Sequence, residues 1–250
     1  MSLTDGIILA IAALLGGGIN AVAGAGTLIT FPAMIGLGFD AKVANVTNKI
    51  ALWPGSVSTV LAYRTELDNN RSTLKLLLPP MLIGGLAGSI LLLATPTDVF
   101  DAIVPFLILG SCALLALQGK ITAYALKGKN PDDNMLRLGT LIVSAYGGYF
   151  GGGLGIVSLA LFAVFLPNDL QVSNAIKGFL QMSVNGIAAI YFIFFGNVAW
   201  DAAVLMMAFS LIGGYYGARI ARKLPRKQLL IVAIGYGTLA GLYLLLQLFI

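Results

Sequence analysis

Two lysines fall inside stretches otherwise apolar enough to lie in lipid. Lys49 closes the run Asn45-Val46-Thr47-Asn48-Lys49, and Lys177 closes Ser173-Asn174-Ala175-Ile176-Lys177. Each stands three or four residues beyond an asparagine, a spacing that puts both side chains on one face of a helix. An ammonium beside an amide offers several N–H donors and one positive charge, the equipment for holding a small oxyanion. Ser56 and Ser58 follow Lys49, Gln181, Ser183 and Asn185 follow Lys177, and Asn20, Thr27 and Thr30 precede both. An amide is costly in lipid unless it finds partners, so Asn20, Asn45, Asn48, Asn174, Gln181 and Asn185 are expected to face the interior. With Thr27, Lys49 and Lys177 they make up the candidate anion-binding set. The competing readings are that the lysines snorkel to the interface and that single hydroxyls bond their own helix.

Glycines supply the second kind of chemistry. The regions 6–38 and 138–166 are interrupted by Gly16, Gly17, Gly18, Gly24 and Gly26 in one, and by Gly147, Gly148 and Gly151 to Gly155 in the other. Non-helical backbone at membrane depth survives only where protein or a water-filled cavity surrounds it. Breaks at Gly17, Gly18, Gly24, Gly26, Gly152, Gly153 and Gly155 would therefore meet centrally, and helix N-termini created there would point N–H donors at an anion. The alternative is that the glycines only let helices pack closely.

Other chemistries are excluded by what is missing. The chain has no histidine and one cysteine, Cys112, so a Ser-His-Asp triad, an internal disulfide or a thiolate metal cluster cannot be assembled. No catalytic residue, metal or cofactor is expected. Acidic residues lie near the ends of apolar runs, with Asp40 and Asp169 placed to cap helices, so a carboxylate proton relay is not evident. The net charge of +5 comes from basic residues grouped in loops, which reads as membrane topology rather than nucleic-acid binding.

The elements that position these residues follow from hydropathy. With 58% hydrophobic and 10% charged residues, the chain lacks the polar surface a soluble globule needs. One all-α, polytopic membrane domain spanning 1–250 is expected, with the bilayer as its first partner. The start carries an acid and no Lys or Arg, which argues against a cleaved signal peptide. Runs at 44–63, 73–94, 99–118, 174–195, 199–220 and 228–249 are each long enough to cross about 30 Å of hydrocarbon. The two glycine-broken regions bring the hydrophobic segments to eight.

The segments come in two copies. Asp40, Val43 and Asn45 match Asp169, Val172 and Asn174; Gly84, Gly85 and Gly88 match Gly213, Gly214 and Gly217; Pro96 matches Pro225 and Gln118 matches Gln247, all 129 residues apart. Gly16-Gly17-Gly18 matches Gly151-Gly152-Gly153 at 135. We read repeat one as 1–118, a loop at 119–135, and repeat two as 136–250. Basic residues flank the loops 64–75, 119–137 and 219–227. All three reach the cytoplasmic face, as the positive-inside rule prefers, if each broken region is a re-entrant hairpin of two half-depth arms. Each repeat then holds three transmembrane helices and a hairpin, the repeats are inverted, and both termini lie outside.

At these residues the chain resembles the TauE/SafE family of permeases. The resemblance is carried by Gly16-Gly-Gly-Ile-Asn20-Ala-Val-Ala-Gly24-Ala-Gly26-Thr27 through Phe31-Pro32, and by Ala44-Asn45-Val-Thr47-Asn48-Lys49. Gly151 to Gly155 and Ser173-Asn174-Ala-Ile-Lys177-Gly178 repeat it more weakly. It implies transport of a small anion across a prokaryotic inner membrane. With the polar set above we expect a carrier of sulfite or an organosulfonate that works by alternating access around a midplane site between the repeats. The other readings are an anion channel or a permease for another small sulfur-containing or organic anion, with room for a homo-oligomer.

Overall fold

A computed structural model of the chain describes residues 1–125, 132–166, 170–220 and 226–247. Asp169, Pro225, Lys127, Lys129, Arg222 and Lys223 lie outside the described residues. Among those described there are eleven helices and no strand: α1 Leu3–Ala23, α2 Thr27–Gly36, α3 Ala41–Ala62, α4 Arg64–Asp68, α5 Arg71–Ala94, α6 Thr97–Ala125, α7 Asp133–Tyr149, α8 Leu154–Phe165, α9 Leu170–Phe195, α10 Trp200–Ile220 and α11 Arg226–Gln247. Leu3–Ala23, Arg71–Ala94, Thr97–Leu117 and Gln171–Phe195 are both long and apolar enough to cross a membrane. α3 is as long but more polar, and its polar residues Asn45, Thr47, Asn48, Lys49, Ser56, Ser58 and Thr59 are all buried. Large apolar side chains such as Ile83, Leu91, Phe194 and Leu239 are exposed instead. Polar groups inside and apolar groups outside suit a lipid solvent.

Local signals explain where helices start and stop. Ser2 accepts the Asp5 N–H at 3.1 Å while the Asp5 carboxylate accepts the Ser2 N–H at 2.8 Å, closing a capping box on α1. α1 ends where Gly24 turns left-handed, φ +67°, and returns its N–H to Asn20 O at 2.8 Å. Asp40 occupies the N-cap position of α3, but its carboxylate accepts no capping bond there. Its place at the positive end of the helix dipole is what remains of the expected capping role.

The two short helices fold back on their predecessors. A Cβ at Gly16 would come within 2.6 Å of Thr30 Cγ2, and one at Gly139 within 2.5 Å of Leu161, so α2 runs back along α1 and α8 along α7. Leu37 and Phe39, after α2, line one cavity with Met1, Asp5, Trp200 and Asp201, so this hairpin opens toward one end of the bundle. Leu136, Phe165 and Leu166 pack with Leu74 and Val172 at the opposite end, toward which α7 and α8 open. The arms are not the equal, half-depth pair expected. α1 has 21 residues and α7 has 17, roughly 31 and 25 Å of helix, whereas α2 and α8 have 10 and 12. Each outgoing arm is longer than the arm that returns along it.

Length is available to α1 because Gly16, Gly17 and Gly18 do not interrupt it. Gly17 and Gly18, expected at a backbone break, are helical and face α10; a Cβ on Gly17 would lie 3.0 Å from Gly214 N, and one on Gly18 would lie 3.6 Å from Gly213 O. They serve close helix approach, the reading set aside for them. The break in the first half is at Gly24 to Gly26, opposite Gly151 to Gly153, so the two glycine triplets are not equivalent.

Helix contacts occur in matched pairs. α1 packs on α10 and α7 on α5; α3 packs on α10 and α9 on α5; α2 packs on α11 and α8 on α6; α3 meets α9, and α6 meets α11. Gly213 leaves no room for a Cβ against Leu14 O, nor Gly84 against Leu141 O; Gly217 abuts Gly18 as Gly88 abuts Ala145. Leu14 and Leu141 are 127 apart, as are Gly18 and Ala145, while the glycines facing them are 129 apart.

Candidate functional site at two hairpin tips

The tip between α7 and α8 turns through Gly151, φ +80°, and Gly153, φ +68°, conformations that disfavour any residue with a Cβ. One turn of α3 holds it. The Lys49 ammonium donates to Gly147 O, and Asn45 Nδ2 donates to Tyr149 O at 2.8 Å, so two of the last carbonyls of α7 take donors from α3. Gly152 O accepts from Ser111 Oγ at 2.9 Å and from the Tyr146 hydroxyl. Lys49 is 2% exposed. Beside it Asn48 is fully buried with neither amide atom partnered, and Asn45 Oδ1 and Ser144 Oγ are also buried without a partner.

The tip between α1 and α2 is held from α9. Lys177, fully buried, donates to Ala21 O at 3.3 Å, Val22 O at 3.1 Å and Asn174 Oδ1 at 3.3 Å. Asn20 Oδ1 accepts from Gln181 Nε2 at 3.0 Å and from the Gly26 N–H at 3.4 Å, while Asn20 Nδ2 donates to Ser56 Oγ at 3.4 Å. Thr27 opens α2 and Asn185 lies one turn beyond Gln181 on α9; both are 7% exposed.

The tips touch. Gly155 N donates to Gly24 O at 3.1 Å, and a Cβ on Gly155 would fall 2.5 Å from Gly24 Cα. The expected residues thus form two groups joined by a glycine contact. Asn45, Asn48, Lys49, Gly152 and Gly153 surround one tip, and Asn20, Thr27, Gly24, Gly26, Asn174, Lys177 and Gln181 the other. Each lysine stands at the C-terminal carbonyls of a helix in the other half of the sequence, where the helix dipole is negative and a cation is favoured. Ser111, Ser144 and Tyr146 were not among the expected residues. Ser111 bonds its own helix at Leu107 O, 2.6 Å, as an isolated membrane serine does, and its second bond, across to Gly152, leaves no trace in the spacing.

The profile of the family described as sulfite exporter TauE/SafE matches residues 9–244. The chain belongs to the TauE/SafE family. Curated relatives agree with a membrane transporter. A probable membrane transporter protein, ORF9, of Sinorhizobium is 33% identical over 232 residues, covering 90% of this chain and 87% of that one. The probable membrane transporter protein YfcA of Escherichia coli is 26% identical over 238 residues, covering 90% and 86%. One from Haemophilus influenzae is 26% identical over 210 residues, covering 81% and 79%. No solved structure matches. The TauE/SafE match takes in both hairpins and both lysines. With its exposed apolar helices, this TauE/SafE protein is a multi-pass membrane protein, and these names point to transport rather than catalysis.

Proposed function

We propose that this transporter carries a small oxyanion, sulfite or an organosulfonate, at the α7–α8 tip and its counterpart. One observation carries the reading: the buried Lys49 ammonium has one protein acceptor, Gly147 O, and no carboxylate partner among the described residues, while the adjacent Asn48 amide has none. A buried cation and a buried amide left short of acceptors are costly, and an oxyanion satisfies both. Asn45, Asn174, Asn20, Gln181, Thr27 and Asn185 orient it, and the glycine breaks lend backbone donors. The matched helix pairs and the hairpins opening to opposite ends support two inverted repeats, and alternating access follows if the tips are the moving parts. Loops 64–75, 119–137 and 219–227 face the cytoplasm of a cell whose inner membrane holds the protein, and both termini face out. An anion leaving such a cell gains about 2.3 kcal/mol per charge per 100 mV, so export needs no coupling ion.

The test is flux of sulfite and a panel of sulfonates in proteoliposomes under an imposed potential, with Lys49→Ala alongside. Saturable, potential-driven flux, reduced at least about tenfold in the variant, is expected for the loss of a buried charged partner. Non-saturating flux indicates a channel. Flux equal in both proteins sinks this account of the site.

A further inference from the structure

Both outgoing hairpin arms end inside the protein, and the C-terminal carbonyls of a helix broken in this way make a ready site for a monovalent cation. Here those carbonyls are already occupied. Lys49 reaches Gly147 O from 98 residues away in sequence, and Lys177 reaches Ala21 O and Val22 O from 156 and 155. The helical turns that carry the first of these contacts also hold oxygens of the kind a hard cation takes. Asn45 Oδ1, Asn48 Oδ1 and Ser144 Oγ are buried and unpartnered within the two helical turns that meet at Gly147. An ammonium fixed to α3 thus stands on the Gly147 carbonyl at the end of α7, and its counterpart on α9 stands on the Ala21 and Val22 carbonyls at the end of α1.

We propose that the two tips are monovalent-cation sites filled from within, with the Lys49 and Lys177 ammonium groups taking the place of dissociable ions. The hairpins keep their positions without sodium, and removing one ammonium uncovers a site that sodium or a small alkylammonium can fill. Both lysines act as positioning residues for the tips in addition to any contact with substrate. The inference deepens the reading of the same site and takes from it only that the tips matter for transport. Substrate-free protein tests it, so the two ideas fail separately.

The experiment is thermal unfolding in nanodiscs at constant ionic strength, with choline, sodium or methylammonium chloride as the salt. Wild-type protein is expected to melt alike in all three. Lys49→Ala should melt lower in choline and recover about 2–4 °C in sodium or methylammonium. Lys49→Arg, which keeps a tethered cation, should not distinguish the salts. If Lys49→Ala can be purified only when sodium or methylammonium is present throughout, that dependence is itself the expected result, and Lys49→Gln supplies the melting series. Indifference to the salt in both neutral variants, or a sodium-specific shift in the wild type, overturns the proposal.

Discussion

Gly24 and Gly155 show what a single hydrogen atom decides at the centre of this protein. Gly24 has left-handed φ and its Cα lies only 2.5 Å from where a Cβ on Gly155 would be, so the tips approach only because neither residue has a side chain. Gly24→Ala should cost about 1–2 kcal/mol from the backbone conformation alone, with the clash added. A fall in the unfolding midpoint and in the monodisperse fraction after extraction would register it, whereas wild-type behaviour would mean that the tips do not meet as described. Lys49 and Lys177 were legible in the sequence because an ionisable group in an apolar run is expensive and demands a reason. What they bond was not legible, since their acceptors are backbone carbonyls that any residue supplies. The sequence put both lysines in one candidate set, and the structure sets each at its own hairpin tip, where the helix ends create the negative potential.

Among elements, the glycine ridges set which helices touch. Gly88 on α5 and Gly217 on α10 bring those helices against α7 and α1 with no space for a methyl group. Gly88→Val and Gly217→Val should each destabilise by about 1–3 kcal/mol in detergent-titrated unfolding, to similar extents. Gly110→Val, where nothing lies within 4 Å of the added carbon, should cost less. A neutral Gly217→Val would break the α1–α10 packing argument. The six apolar runs outside the broken regions were readable because lipid demands long helices, and within the described residues each falls on a helix. The register of the first helix was misread for a definite reason. Gly16-Gly17-Gly18 and Gly151-Gly152-Gly153 are identical in letters but not in task, one triplet thinning a helix for contact and the other turning the chain. Position along a helix distinguishes those tasks, and a tripeptide does not contain it.

For the whole molecule, charge was the informative signal, because the placement of basic loops asks for chain reversals within the two broken regions, and α2 does fold back along α1 and α8 along α7. The orientation in the cell is testable by labelling. In a Cys112→Ser background, Asp98→Cys should react with an impermeant maleimide added to intact cells, and Asn69→Cys only after permeabilisation. Both positions are exposed, on opposite ends of α5. The reverse pattern would invert the orientation, and labelling of both from one side would contradict the helix path. The exchange of partners between halves, α1 with α10 and α7 with α5, also sets an order of assembly. At roughly 5–20 residues per second, α10 emerges some 10 to 35 s after α1 has been made. Throughout that interval the N-terminal hairpin, with Asn20 and the bare carbonyls of Ala21 and Val22, has neither its packing surface nor the ammonium that will close it. Biogenesis therefore has to shelter a polar tip in lipid until the second half arrives, and a chain cut short before Lys177 leaves that tip open to quality control.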